Sequence, residues 1–196
     1  LLSCRQVGSF LLFFRALNDI ILHMQFLGKI NDLRLVIGGS GSGKSDFAEE
    51  LLKDSDKKIY LATMPHSPSN EERIKRHVRR RASKGFITIE KTKHFSELEL
   101  SESCDILLED LPNLLANEMF SSDGSVCENA YQRVIDDLEF LISHCRRLVI
   151  VSDDIFESGL DYDPLTDRYM QILGNLHAFL AQRGKVSEII AGIECP

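Results

Sequence analysis

A glycine- and serine-rich stretch, "GGSGSGKS" at residues 38–45, carries the clearest chemistry in the sequence. It matches the pattern G-x-x-x-x-G-K-[ST] and stands between a short apolar run and a helical pattern, as this motif requires. Glycines let successive backbone N–H groups point inward, and no Cβ obstructs a phosphate. A flexible linker is the alternative, but a linker would not join a buried strand to an amphipathic helix.

Two side chains at the end of this loop have predicted roles. Lys44 is expected to contact the β- and γ-phosphates of a nucleotide, and the Ser45 hydroxyl is expected to be a Mg²⁺ ligand. Lys44 is therefore a predicted catalytic residue. The predicted nucleotide-binding residues of the loop are Gly38, Gly39, Ser40, Gly41, Ser42, Gly43, Lys44 and Ser45.

Acidic residues follow two other apolar runs. Glu109 and Asp110 end "CDILLED", and Glu109 is expected to hold Mg²⁺ through a water, as the Walker B acid of such sites does. Asp153 and Asp154 end "RLVIVSDD" in the same way. Sequence alone leaves open whether this second pair is functional or a solvated strand end.

The segment "EERIKRHVRRR" at residues 71–81 is strongly basic around a single histidine. Helical spacing places Arg73, His77, Arg80 and Arg81 on one face. Such a face could orient a phosphate and present an imidazole for attack on it. A solvated helix and a nucleic-acid patch are the alternatives, and composition alone does not choose among the three.

Short apolar runs alternate with helical patterns from Leu33 onward, which indicates a parallel sheet covered by helices. The sequence predicts an α/β fold of the P-loop NTPase (RecA-like) type, a three-layer sandwich with a mostly parallel central sheet. The predicted strands are 33–37, 58–64, 86–90, 104–110, 147–154 and 186–193. The predicted helices are 45–52, 71–84, 112 to about 120, 127–145 and 166–182.

Length and composition limit the remaining possibilities. The 196 residues suit one α/β domain, and the net charge of −7 argues against a nucleic-acid partner. Five scattered cysteines without a C-x-x-C pair indicate neither a zinc site nor a disulfide framework, so a reduced, cytoplasmic setting is expected.

Residues 1–32 are predicted to be an N-terminal extension, with the nucleotide-binding domain spanning 33–196. Apolar patches in the extension are interrupted by Arg15, Asn18 and Asp19, so no membrane span is expected. Two interpretations stay open. Translation could start at Met24, or the extension could form an amphipathic helix that packs on the domain or on a partner.

From Leu33 onward the chain resembles the bifunctional adenosylcobinamide kinase / adenosylcobinamide-phosphate guanylyltransferase family of cobalamin assembly. The landmarks are "GGSGSGKS", "IYLAT", "ERIKRHVRRR", "LLEDLPNLLANEMF" and "VIVSDDIFESG". The R-I-x-x-H-x-x-x-R signature after a Y-x-A-T strand is more specific than the phosphate loop. The resemblance implies that His77 is the catalytic residue that becomes guanylylated. It also places around the nucleotide Ala62, Thr63, Met64, Arg79, Arg80, Arg81, Glu90 and Glu109.

The activity implied by the resemblance has two steps. A nucleoside triphosphate, GTP or ATP, phosphorylates adenosylcobinamide, and GMP from GTP then passes through His77 to give adenosylcobinamide-GDP. A homo-oligomer, a trimer in this family, is expected. The sequence departs from the family pattern at Asp110, Pro112 and the Asp153–Asp154 pair. A monofunctional P-loop small-molecule kinase is the alternative, and a non-catalytic nucleic-acid-binding module is a further one. His66 and His94, outside the signature, are expected to be surface residues.

Overall fold

Seven β-strands form one sheet in the part of the chain that the structure, a computed structural model, describes: residues 32–65, 78, 81–100, 103–121, 123–156 and 162–195. The strands are β1 (Leu33–Gly38), β2 (Lys58–Ala62), β3 (Phe86–Glu90), β4 (Asp105–Glu109), β5 (Arg147–Asp153), β6 (Lys185–Ile190) and β7 (Ile193–Glu194). Their spatial order is β3-β2-β4-β5-β1-β6-β7, and only β6 and β7 pair antiparallel. The predicted fold, an α/β P-loop NTPase with a mostly parallel sheet, is confirmed.

Helices cover both faces of this sheet. Helix α1 (Lys44–Leu51) packs on one face, against a core that includes Val36, Leu107 and Val149. Because strand side chains alternate between faces, their neighbours along the strands are buried on the other side. There α2 (Leu111–Met119), α3 (Ala130–His144) and α4 (Pro164–Ala181) pack together and on the central strands. This gives the three predicted layers.

The two ends of α1 have different local causes. The helix begins directly after Gly43, which has a left-handed φ of 89° and so favours glycine. At the other end the buried Lys58 Nζ donates to the carbonyls of Leu52 (3.3 Å) and Lys53 (3.2 Å). A cation at these carbonyls complements the negative end of the helix dipole. Residue 58 thus ties the beginning of β2 to the end of α1.

The final predicted strand, 186–193, is wrong in its last residues. β6 ends at Ile190, and the chain reverses through Ala191 and Gly192 into the short antiparallel β7. Both turn residues have positive φ, 51° and 81°, the geometry of a two-residue hairpin turn. The run "EIIAGI" is apolar and contains no Asn-Gly or Asp-Gly pair. The sequence therefore predicted a continuous strand there instead of a turn.

Two helices begin away from their predicted positions. Helix α4 starts at Pro164, two residues early, because the Asp163 carboxylate accepts hydrogen bonds from the N–H groups of Leu165 and Thr166. Proline is well suited to the first helical position. Helix α3 starts at Ala130, three residues late. Before it, Val126 forms an isolated antiparallel bridge with Phe120.

Several predicted features lie outside the described residues. They comprise residues 1–31, His66, and within the basic segment residues 71–77, 79 and 80, which include His77, Arg79 and Arg80. Val78, Arg81 and Ala82 are helical, in line with the helix predicted there. Among the described residues, no helix is both long enough and apolar enough to cross a membrane.

Candidate nucleotide-binding site

The loop at residues 38–45 joins β1 to α1 at the carboxyl edge of the sheet, where ligands of parallel α/β folds bind. Gly41 and Gly43 have φ of 72° and 89°, conformations that favour glycine. The backbone N–H of Ser42 donates to the Gly39 carbonyl (3.2 Å), and that of Phe47 donates to the Gly43 carbonyl (3.0 Å). The loop therefore curls directly into the helix, and the positive end of α1 suits a phosphate.

The hairpin between β6 and β7 contacts this loop. The N–H of Gly192 donates to the Ser42 carbonyl at 2.7 Å. A Cβ added at Gly43 would lie 3.1 Å from the Gly192 Cα, so the two glycines permit a close backbone approach. The turn that the sequence did not predict is thus one of the supports of the phosphate loop.

Ser45 and Glu109, the two predicted metal ligands, lie in contact. The Ser45 Oγ donates a 2.8 Å hydrogen bond to the Glu109 Oε1. The other carboxylate oxygen of Glu109 is buried and has no hydrogen-bond partner among the described residues. A hydroxyl beside a carboxylate with an unpartnered oxygen is a donor set that suits a hard cation such as Mg²⁺.

Lys44 forms an ion pair with Asp153. The Lys44 Nζ lies 2.7 Å from the Asp153 Oδ1 and also donates to the Gly39 carbonyl at 3.1 Å. Asp153 is the last residue of β5 and is paired in register with Gly38, the last residue of β1. Parallel register therefore brings the strand-end acid to the loop lysine. The sequence marked Asp153 as a candidate without assigning it to the site.

The ends of β2 and β4 are joined by a buried threonine. The Thr63 Oγ1 donates to the Asp110 carbonyl (2.8 Å) and accepts from the Asp110 N–H (2.7 Å). The Asn117 side chain donates to the Thr63 carbonyl (2.8 Å) and to the Thr92 carbonyl (3.2 Å). These bonds fix the backbone beside Glu109. Asn117 carried no signal in the sequence, because it lies inside an ordinary helical pattern.

Negative charge accumulates at this edge of the sheet. Burial raises the pKa of the Asp110 carboxyl to about 6, and the charges of Asp153 and Glu109 act in the same direction, against the hydrogen bond from the Asn113 N–H. Asp110 also caps the N-terminus of α2 through that bond. Three carboxylates thus lie close enough to influence one another.

Tyr60 links the site to the basic segment. The Arg81 guanidinium carbon lies 3.3 Å from the centroid of the Tyr60 ring, a cation–π contact. Burial, followed by the charge of Glu109, raises the pKa of the Tyr60 phenol. Three residues on, Lys84 forms ion pairs with Glu49 and, at 3.5 Å, with Asp46 of α1. The C-terminal end of the basic segment is thereby held against β2 and α1.

Three of the other residues predicted to bind the nucleotide, Ala62, Met64 and Glu90, lie at the carboxyl ends of β2 and β3. Ala62 ends β2 and pairs in register with Glu109 on one side and with Glu90 on the other. Met64 follows half-buried, and Glu90 is exposed at the end of β3. Arg81 has its guanidinium on the Tyr60 ring. His94, expected at the surface, is exposed.

Comparison with known proteins gives one family and two relatives. The model of the cobinamide kinase / cobinamide phosphate guanyltransferase family matches residues 34–196. The chain is 25% identical over 173 residues to the bifunctional adenosylcobalamin biosynthesis protein CobU of Escherichia coli (strain K12). It is 29% identical over 177 residues to the protein of the same name from Salmonella typhimurium (strain LT2). Each alignment covers 81% of this chain and 96% of the relative.

Proposed function

The chain belongs to the cobinamide kinase / cobinamide phosphate guanyltransferase family, and we propose that it catalyses both reactions in cobalamin biosynthesis. It phosphorylates adenosylcobinamide with GTP or ATP, and it then transfers GMP from GTP to the product, giving adenosylcobinamide-GDP. Membership makes the chain a transferase that uses nucleotides. The observation that carries the proposal is the convergence of Lys44, Ser45, Glu109 and Asp153 on one phosphate loop within the family match.

The kinase step uses the loop directly. The acceptor hydroxyl of adenosylcobinamide attacks the γ-phosphorus, the bond to the β-phosphate oxygen breaks, and a nucleoside diphosphate and the hydroxyl proton leave. Lys44 and the loop N–H groups stabilise the negative charge that spreads over the transferring phosphoryl group. The bonds of Thr63 and Asn117 hold the strand ends so that Glu109 keeps its position beside Ser45.

A Mg²⁺ ion fits this chemistry. The Ser45 hydroxyl would hold it directly, and the Glu109 carboxylate, with its unpartnered buried oxygen, would hold it through water. Bound there, the ion would neutralise charge on the β- and γ-phosphates.

The guanylyl transfer is assigned to His77. A neutral ring nitrogen attacks the α-phosphorus of GTP and expels pyrophosphate, and the phosphate of the phosphorylated cobinamide then displaces the histidine. The support is the R-I-x-x-H-x-x-x-R signature and its place inside the matched range, because His77 lies outside the described residues. The anchoring of Arg81 and Lys84 supports a fixed position for the end of this segment. We also propose that the protein forms a homotrimer and acts in the cytoplasm.

Intact-protein and peptide mass spectrometry after incubation with GTP and Mg²⁺ tests this function. The expected result is one GMP adduct, located on His77. The His77→Asn variant should lack the adduct and should still phosphorylate adenosylcobinamide, because γ-phosphoryl transfer needs no covalent protein intermediate.

His94→Asn is the matched control, since His94 is an exposed histidine outside the signature. It should form the adduct at the wild-type rate. A wild-type protein that phosphorylates adenosylcobinamide but never carries GMP would leave a monofunctional kinase. An adduct that persists in His77→Asn would overturn the assignment of the nucleophile.

A further inference from the structure

Lys44, the predicted phosphate ligand of the loop, is already paired with the Asp153 carboxylate. An ammonium group has three N–H donors. One of them donates to the Gly39 carbonyl (3.1 Å), and the ammonium nitrogen lies 2.7 Å from the Asp153 Oδ1 in an ion pair. A nucleotide that engages Lys44 through both its β- and γ-phosphates therefore meets a carboxylate that is already paired with the ammonium group.

The position of Asp153 is set by rigid elements. Its backbone ends β5 in register with Gly38, and the N–H of the following Asp154 donates to the Gly38 carbonyl at 3.2 Å. The side chain of Asp153 is 39% exposed, so it can turn from Lys44 without moving the strand. When a phosphate takes the place of Asp153 beside Lys44, the Asp153 carboxylate stays nearby and keeps its charge.

Other carboxylates surround the same position. Glu109 contacts Ser45, and Asp110 follows it along the chain. Glu109 ends β4 and Asp153 ends β5, the adjacent parallel strand, so the carboxylates lie at the same edge of the sheet. A bare nucleoside triphosphate brings about four further negative charges, and like charges placed together repel one another. A bound divalent cation removes half of them.

We propose that Asp153 is a specificity-determining residue, which makes the phosphate loop select a nucleoside triphosphate carrying its divalent cation over the metal-free polyanion. The proposal rests on the nucleotide site of the proposed function but not on guanylyl transfer. The Asp153 carboxylate competes with the nucleotide for Lys44, and it repels phosphates that carry no bound cation. The cation complex, with less negative charge and a ligand of its own in Ser45, overcomes this barrier.

Titration calorimetry with GTP at constant ionic strength tests the proposal, once with excess Mg²⁺ and once with excess EDTA. The measured quantity is the ratio of the metal-free Kd to the Mg²⁺ Kd. Asp153→Asn, which keeps the shape and loses the charge, should lower this ratio about tenfold, mainly by tightening metal-free binding. Asp153→Ser, which removes the carboxylate and also shortens the side chain, should shift the ratio in the same direction.

Asp154→Asn is the matched control, because it removes the same charge from the adjacent residue, whose carboxylate accepts from the Phe156 N–H (3.3 Å). It should change the ratio less than about twofold. The proposal is overturned if folded Asp153→Asn and Asp153→Ser keep the wild-type ratio, or if Asp154→Asn lowers it equally. Lys44→Ala, measured in parallel, should weaken both Kd values. Since only binding is measured, a missing GMP adduct would refute the proposed function without affecting this result.

Discussion

The Ser45 hydroxyl donates a 2.8 Å hydrogen bond to the Oε1 of Glu109, although 64 residues separate them in the chain. Glu109 lies on β4, and β5 separates this strand from β1 in the sheet. The loop after β1 therefore extends over the end of β5 to reach the acid. A serine and a glutamate in this relationship can share one cation, and the kinase step should depend on both.

Glu109→Gln should lower the kcat of adenosylcobinamide phosphorylation at least about 100-fold, because the amide keeps the size but not the charge. Steady-state kinetics at saturating Mg²⁺ would measure this, with circular dichroism to verify folding. Glu139→Gln is the control, since Glu139 is exposed on α3 and has no predicted role at the site. Its kcat should fall less than about tenfold. Equal losses in the two variants would contradict the role given to Glu109.

Tyr60→Leu should slow GMP-adduct formation about tenfold, since it removes a cation–π contact worth on the order of 1–2 kcal/mol. The reason is that Arg81, whose guanidinium lies 3.3 Å from the Tyr60 ring centroid, ends the segment that carries His77. Quenched-flow mass spectrometry would give the rate. Tyr60→Phe keeps the ring and should keep the rate within about twofold. If Phe and Leu slow the adduct alike, the ring contact does not position the segment.

Much of the site follows from the sequence because it depends on strand ends. A glycine loop and Glu109 both follow buried runs, and the carboxyl ends of parallel strands meet at one edge. The pairing of Lys44 with Asp153 needed the register between β1 and β5, which no local pattern contains. Asp153 was therefore a candidate in the sequence and a contact only in the structure.

Other contacts could not be predicted from the sequence. Tyr60 lies in an apolar strand and has the pattern of a core residue, yet its ring forms a cation–π contact with Arg81. The turn at Ala191 and Gly192 lies inside a run of β-forming residues, and its left-handed alanine is an uncommon choice. These features arise from tertiary packing, which outweighs local preference at both places.

Asp105 should make folding sensitive to acid. Its buried carboxylate accepts two hydrogen bonds each from Arg146 and Arg147, 2.6 to 2.9 Å long. Burial would raise its pKa, but the two guanidinium groups outweigh burial and lower the pKa from 3.8 to about 2. A carboxyl with a lowered pKa stabilises the fold above its unfolded pKa. That contribution, on the order of 2 kcal/mol, is lost as the pH falls from about 4 to about 2.

Asp105→Asn should therefore reduce the free energy of unfolding by about 3 kcal/mol at pH 7, since two arginines lose their charged partner. The difference from wild type should shrink between pH 4 and pH 2 in urea titrations. Asp136→Asn is the control, because Asp136 is exposed on α3 and accepts a hydrogen bond from Gln132 at 2.9 Å. It should change stability by less than about 0.5 kcal/mol. A difference for Asp105→Asn that stays constant down to pH 2 would exclude this linkage.

Gly38→Ala and Gly39→Ala should separate two reasons for glycine in the loop. A Cβ at Gly38 would lie 2.5 Å from the Ser42 Oγ and 2.6 Å from the backbone carbonyl of Ile189, so β6 or the loop must move. A Cβ at Gly39 would meet nothing within 4 Å. Gly38→Ala should lower the free energy of unfolding by about 1–3 kcal/mol, the usual cost of overpacking, whereas Gly39→Ala should stay within about 0.5 kcal/mol. Urea denaturation without nucleotide measures both values. Equal stability of the two variants would show that the contact with β6 does not constrain the loop, and that its glycines serve the phosphate alone.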